Sequence, residues 1–310
     1  MIREIRFPAV KPLKGPPAIK KSGILSPSGG EMSVFVRKGR LMRLQNHGGG
    51  FVVTPYEVND FSCVFGRKGP YFYQAFCEGD RVCVFATEKN HVFRWVSDDL
   101  TNWEESRVLD FPENFCLFNT AVCRDDRGYV MAVEANAAWD DAHPGERVPN
   151  PYIGTGFTEF FARSADLENW ELFPFDTAYT KERYNACPAL KYSGGYYYMI
   201  CLEELPVTRY APYIYRTADF ETWEIGYYNP LFIASREDRV VKPGVMLTEA
   251  ERDMNLTHPN TNNSDVDLGE YGGRTYIVYC TGDQGNSWGG MYCEAIYDGG
   301  LDEFLRANFE

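Results

Sequence analysis

A short motif occurs three times in this chain and constrains the fold more than any other feature. The copies share the pattern Ser/Thr-x-Asp-apolar-x-x-Trp and span Ser97–Trp103, Ser164–Trp170 and Thr217–Trp223. Each copy follows an aromatic, strand-like run and precedes another apolar segment, which is typical of a turn between strands. In such a turn the Asp accepts hydrogen bonds from nearby backbone amides, and the Trp packs back onto the sheet. Internal copies of one turn indicate a fold built from repeated sheets.

A second repeat consists of an apolar strand, a polar turn with glycine, and a strand rich in Tyr or Val. It occurs five times, with turns at Gly39, Gly79, Gly128, Gly195 and Gly273. The mean spacing of roughly sixty residues is the size of a four-stranded blade. Radial repetition of such sheets protects their edges and leaves a central channel. The sequence therefore predicts an all-β, five-bladed β-propeller with four-stranded antiparallel blades around a central funnel.

The remaining elements complete this prediction. Residues 2–7 alternate like a strand, and we expect them to close the ring by pairing with the last blade. Short helices are predicted after Thr248, which begins a capping box, and over Leu301–Leu305. Because no Pro-, Gly- or Ser-rich linker divides the chain, residues 1–310 are expected to form a single domain.

Composition excludes several classes of function. The formal net charge of −13 disfavours nucleic acid and anionic membrane surfaces as partners. Nine cysteines occur without a Cys-x-x-Cys pair, so neither a metal site nor a disulfide framework is expected, and no cofactor is indicated. The N-terminus lacks the apolar run of a signal peptide, and no stretch reaches the length of a membrane span. We expect a cytoplasmic location.

In a propeller, the start of each inner strand and the end of the strand that returns beside it line the same mouth of the funnel. Aligning the five turns places Glu31, Tyr71, Asn119, Cys187 and Asp265 at the inner-strand starts. The returning ends carry more acids and amides, among them Glu134, Glu203, Asp283 and Gln284. Crowded carboxylates separate the pKa values of an acid and a base, as glycoside hydrolysis requires.

These positions define a candidate site. Asp265 is predicted to be the base or to position water, Glu203 or Glu134 to be the acid, and Glu31 to be a further pocket carboxylate. Side chains that suit sugar recognition, namely four amides, a carboxylate, an imidazole, an indole and a guanidinium, complete the site. These predicted substrate-binding residues are Asn119, Asn185, His258, Asn260, Asp283, Gln284, Trp288 and Arg183. Tyr184 and Tyr210 are further candidates for stacking on a sugar ring.

The strand starts and the repeated turns resemble the five-bladed propeller glycoside hydrolases of the arabinanase, xylosidase and levanase type. The segment from Glu31 to Val34 stands where that family has Asp-Pro-x-Val with the general base, and the pattern recurs from Asp265 to Leu268. The second Asp of the family falls at Asn119, and its acid, in a Glu-Ala-Pro motif, falls in Ala186-Cys187-Pro188. The resemblance implies the fold and a glycan substrate, whereas two of the family's carboxylates are replaced.

The expected function is therefore that of an exo-acting glycosidase, because long insertions at 137–156 and 235–263 are expected to cover the mouth and favour chain ends. Two alternatives remain open. The missing acid favours a propeller that binds carbohydrate without catalysis. A glycoside phosphorylase of similar fold would need a basic phosphate site, for which the candidates are Arg183, Arg209, Arg236 and Arg239.

Overall fold

The computed structural model describes residues 4–9, 15–27, 31–154, 156–206, 209–283 and 290–310. Strands dominate this part of the chain. In chain order they are β1 (Glu4–Arg6), β2 (Ile19–Ser26), β3 (Met32–Arg37), β4 (Arg40–His47), β5 (Gly50–Pro55), β6 (Tyr71–Glu78), β7 (Arg81–Glu88), β8 (His91–Ser97), β9 (Glu104–Asp110), β10 (Phe115–Asp125), β11 (Gly128–Ala137), β12 (Thr158–Ser164), β13 (Trp170–Leu172), β14 (Ala186–Ser193), β15 (Tyr196–Glu204), β16 (Tyr210–Thr217), β17 (Thr222–Ile225), β18 (Ser264–Tyr271), β19 (Arg274–Cys280) and β20 (Tyr292–Tyr297).

The strands form five sheets, which are the blades of a propeller. Blade 1 is β3-β4-β5, blade 2 is β6-β7-β8-β9, blade 3 is β10-β11-β12-β13, blade 4 is β14-β15-β16-β17, and blade 5 is β18-β19-β20-β2. The inner strands β3, β6, β10, β14 and β18 contact one another in a closed ring. The predicted five-bladed fold is confirmed, except that blade 1 has three strands in the described part of the chain.

The ring is closed by a different segment from the predicted one. The strand β2 pairs antiparallel with β20 and completes blade 5, whereas the N-terminal β1 pairs parallel with β17 at the outer edge of blade 4. The prediction that residues 2–7 close the ring was wrong. An alternating pattern marks both segments as strands but does not identify the edge with which each one pairs.

The repeated turns are built as expected. The Ser164 hydroxyl accepts hydrogen bonds from the backbone amides of Asp166 and Leu167. The Asp166 carboxylate accepts hydrogen bonds from the backbone amides of Glu168 and Asn169. Leu167 adopts a positive φ of 66°, a left-handed conformation that these side-chain bonds hold in place. The copies at Asp99 and Asp219 repeat this geometry. The motif is therefore structural.

The apolar core lies between neighbouring blades. Phe161 and Trp223, for example, pack face to face between blades 3 and 4, with their ring centroids 5.8 Å apart. Phe51 and Trp95 occupy the corresponding layer between blades 1 and 2. Both faces of each sheet are thus covered, and the blades are fixed relative to the funnel.

The segment between β17 and β18 carries a short 3₁₀ helix, Arg236–Arg239, and the helix α1, Glu249–Thr257, whose capping box is formed by Thr248 and Glu251. The helix α2, Leu301–Arg306, lies near the C-terminus. Both predicted helices are therefore confirmed. Within the described ranges, no helix is long and apolar enough to cross a membrane.

Candidate functional site

Five residues occupy equivalent positions at the mouth of the funnel, one on each blade. Each lies the same number of positions before the last paired residue of its inner hairpin. We call them the mouth ring: Glu31, Phe72, Asn119, Cys187 and Asp265. Four of these positions agree with the sequence alignment, and on blade 2 the residue is Phe72 instead of Tyr71. The mouth ring is acidic on blades 1 and 5 and uncharged on blades 2, 3 and 4.

Three members of the mouth ring adopt a strained backbone conformation. Phe72, Cys187 and Asp265 have φ angles of 60°, 52° and 52°, in the left-handed region that side chains rarely adopt. On each of these blades the inner strand has a β-bulge at this point, with one residue more than its neighbour. Such strain concentrates at functional sites, where it holds a side chain in a required direction.

The carboxyl groups of Glu31 and Asp265 meet at the mouth. Glu31 and the Cys187 thiol each share a hydrogen bond with Asp265, which also accepts one from the Ser264 hydroxyl. Burial raises the pKa of Glu31 well above its usual value, and the nearby charges of Asp265 and Glu134 add to the rise. Burial and the neighbouring carboxylates therefore favour the neutral, protonated form of the Glu31 carboxyl group.

Glu134 reaches the same place from β11. Its Oε2 atom accepts hydrogen bonds from the Cys187 amide at 2.6 Å and from the Asn119 side-chain amide at 3.0 Å. Burial raises the pKa of Glu134 to about 7, the two hydrogen bonds act against this rise, and the Asp265 charge adds to it. A carboxyl group with this pKa exchanges its proton at neutral pH.

Glu203, the other predicted acid, lies on β15 in an ion pair with Arg183. The guanidinium donates from Nε to Oε2 at 3.1 Å and from Nη2 to Oε1, and Nη2 also donates to the Tyr215 hydroxyl. Burial raises the pKa of Glu203, although the Arg183 charge opposes the rise. Two residues predicted for different roles, an acid and a substrate-binding cation, thus bind each other.

The other predicted binding residues lie in varied surroundings. Both ends of the Asn260 side chain are engaged, since it donates to Asp238 at 3.0 Å and accepts from the Gly282 amide at 2.9 Å. His258 caps the C-terminal end of α1, while Asn185 and Asp283 are buried. Gln284 and Trp288 lie outside the described residues.

Sequence reasoning missed Glu159, which is fully buried on β12 directly across from Glu134. It lies on the third strand of its blade, and the alignment considered only inner-strand starts and returning ends. The side chains in the part of the chain that the structure describes include no group of three or more His, Cys, Asp or Glu arranged to hold a metal ion.

No protein-family model matches this sequence, and no curated protein is significantly similar to it. Solved structures do match. A thermostable family 43 glycoside hydrolase is 11% identical with a TM-score of 0.55, covering 93% of this chain and 91% of its own. The family 43 protein BlXynB of Bacillus licheniformis is 13% identical with a TM-score of 0.55, covering 90% of this chain and 54% of its own.

A third match is the family 32 β-fructofuranosidase of Bombyx mori, at 12% identity and a TM-score of 0.54, covering 89% of this chain and 61% of that one. At these identities the likeness concerns the fold. The chain has the five-bladed propeller fold of the glycoside hydrolases of families 43 and 32, which agrees with the resemblance of the sequence.

Proposed function

We propose that this protein is a glycoside hydrolase in which Glu134 is the general acid and Asp265 the general base. The observation that carries the proposal is the meeting of Glu31, Glu134 and Asp265 at one mouth of the propeller, with the pKa of Glu134 near 7. Glycoside hydrolysis needs one carboxyl group that gives a proton and one carboxylate that activates water. The shared fold with known glycoside hydrolases supports the same reaction class.

In the proposed reaction, Glu134 transfers its proton to the oxygen of the leaving sugar as the bond to the anomeric carbon breaks. Asp265 takes a proton from the water that attacks this carbon. The hydrogen bonds from Asn119 and the Cys187 amide stabilise the Glu134 carboxylate that forms. Glu31 keeps Asp265 in position through their shared hydrogen bond.

Glu203 is less suited to be the acid, because the Arg183 guanidinium binds its two oxygen atoms. We assign this ion pair to the wall of the pocket. The end of the insertion 235–263 is bound to blades 4 and 5, since the Thr261 amide donates to the Gly282 carbonyl after β19 and the Asn263 amide to the Tyr210 carbonyl at the start of β16. Action at chain ends is the mode that we propose for a mouth covered by this insertion.

The test compares Glu134→Gln with the unchanged protein on aryl glycosides and on natural oligosaccharides. Loss of general acid catalysis lowers kcat/KM on oligosaccharides by about 10²- to 10⁴-fold. Activity is much less affected on dinitrophenyl glycosides, whose leaving group needs no proton. In the unchanged protein, kcat/KM falls as pH rises through about 7, because Glu134 must be protonated to act.

Glu204→Gln is the matched control, since Glu204 is exposed at the end of β15 and its replacement is expected to leave turnover unchanged. Wild-type turnover of oligosaccharides by Glu134→Gln would remove Glu134 from the proposed role. Saturable sugar binding without any product from the unchanged protein would favour the non-catalytic alternative. Its supporting feature is that Ala186-Cys187-Pro188, where the family's acid would fall, contains no carboxylate.

A further inference from the structure

Aromatic rings form a continuous row along the mouth of the funnel from blade 2 to blade 4. The centroid distances are 5.6 Å from Phe72 to Phe118, 4.8 Å from Phe118 to Phe157, 5.6 Å from Phe157 to Tyr184, and 5.2 Å from Tyr184 to Tyr210. We call these five residues the aromatic arc. Each contact is within the range in which aromatic rings attract one another.

The aromatic arc passes the candidate acid at Tyr184 and extends from there to blade 2. Tyr184 packs in the same apolar cluster as Cys187, whose amide donates to the Glu134 carboxylate at 2.6 Å. Phe118 directly precedes Asn119, and Phe72 is the mouth-ring residue of blade 2. The aromatic arc therefore follows the uncharged blades of the mouth, whereas Glu31 and Asp265 belong to the other two.

Four of the five rings of the aromatic arc differ from those of the core, whereas Tyr210 is buried. Phe72, Phe118, Phe157 and Tyr184 remain partly exposed, while aromatic residues between blades, such as Phe161, are fully buried. Phe72 also keeps its strained φ of 60°, a conformation that glycine adopts without cost. A partly exposed apolar ring contributes little to the free energy of folding, and the strained backbone beneath it costs free energy. Strain of this kind is typical of residues at ligand-binding sites.

We infer that the aromatic arc binds the sugar rings that follow the cleaved bond, so that the ligand is an oligosaccharide. Sugar rings have apolar C–H faces that pack on aromatic side chains, and the apolar lining of ligand sites provides much of the affinity. The inference rests on the proposed function for the place of the cleaved bond. Recognition by ring faces instead of hydrogen bonds predicts that affinity grows with the number of sugars.

The test measures binding by calorimetry in the Glu134→Gln background, where turnover does not interfere. The probes are arabinotriose, xylotriose and kestose, each compared with its monosaccharides. At least one trisaccharide is expected to bind more tightly than the monosaccharides. Phe118→Ala and Phe72→Gly are each expected to weaken this binding by about tenfold or more, from the loss of apolar contact, and to leave the monosaccharide affinity unchanged.

Phe72→Gly separates a binding role from a structural one. If the Phe72 ring binds the ligand, its replacement by glycine lowers the affinity for the trisaccharide. Because glycine adopts this backbone conformation without strain, thermal stability stays the same or rises. Tyr271→Ala, which removes an exposed ring from the hairpin tip at the other end of blade 5, is the matched control with unchanged affinity.

The inference is overturned if no trisaccharide binds, if the trisaccharides bind no better than the monosaccharides, or if folded Phe118→Ala and Phe72→Gly proteins keep the full affinity. The proposed catalytic role fails separately, when turnover is absent or independent of Glu134. Arc-dependent trisaccharide binding in a protein without turnover would uphold the aromatic arc and leave a carbohydrate-binding propeller.

Discussion

Glu159 shows what a single buried acid does to this molecule. Its side chain is fully buried, and neither carboxyl oxygen has a hydrogen-bond partner among the described residues. Burial raises the pKa of Glu159 well above its usual value, and the nearby Glu134 adds to the rise. An unpaired charge at this position would be very costly, so the folded protein favours the protonated form of Glu159.

Replacement of Glu159 by glutamine is expected to stabilise the protein at alkaline pH. The unfolded chain loses the Glu159 proton near its ordinary pKa of about 4.3, whereas the folded protein keeps it, so stability falls as pH rises above that value. Glu159→Gln removes this loss. Its advantage grows by about 1.4 kcal/mol for each unit of pH between the unfolded and folded pKa values.

Thermal unfolding measured at pH 5 and pH 8.5 checks this prediction. The melting temperature of Glu159→Gln should be close to that of the unchanged protein at pH 5 and clearly higher at pH 8.5. Glu171→Gln, on an exposed position of the adjacent strand β13, should behave like the unchanged protein at both pH values. Equal shifts at both pH values would show that Glu159 is not held protonated.

At the scale of elements, the repeated turn links the sequence to the blade. The hydroxyl of Ser164 is buried and makes three hydrogen bonds, two from backbone amides and one to Asp166. Ser164→Ala leaves those amides without their partner. We expect the free energy of unfolding to fall by about 1 to 2 kcal/mol in urea titrations.

Ser106→Ala is the matched control, because the Ser106 hydroxyl on β9 is buried and has no hydrogen-bond partner in the described ranges. Its removal is expected to change stability by less than about 0.5 kcal/mol. An equal loss of stability in the two variants would attribute the effect to the lost volume of a hydroxyl group, and the proposed role of the turn would fail.

The sequence was sufficient to predict the blades and the positions of Glu31, Glu134 and Asp265 at one mouth. The turn motif repeats along the chain, and counting back from each hairpin turn gives the start of its inner strand. The blades and the mouth positions can therefore be predicted from local sequence. Glu159 was not predictable, because its importance comes from lying across from Glu134 on the neighbouring strand. The ion pair of Glu203 with Arg183 depends likewise on how a loop folds back onto β15.

At the scale of the whole molecule, the propeller depends on the strand that joins its two ends. The strand β2 completes blade 5, and the ammonium group of Lys21 on this strand donates to the buried Asp238 at 2.7 Å and to the Asn263 side chain at 2.8 Å. Asp238 also accepts from the Tyr279 hydroxyl on β19. One buried ion pair thus joins the closing strand, the insertion 235–263 and blade 5.

Lys21→Met is expected to lower the free energy of unfolding by about 3 to 5 kcal/mol, because it leaves the Asp238 charge buried without a cation. The double variant Lys21→Met/Asp238→Asn should recover much of this loss, since no unpaired charge remains. Lys20→Met is the matched control on the same strand, where an exposed pair with Asp298 contributes less than about 1 kcal/mol. Urea unfolding of the three proteins measures these differences. If Lys21→Met were no more harmful than Lys20→Met, closure of the ring would depend on the backbone pairing of β2 with β20 and on the apolar contacts of Ile24.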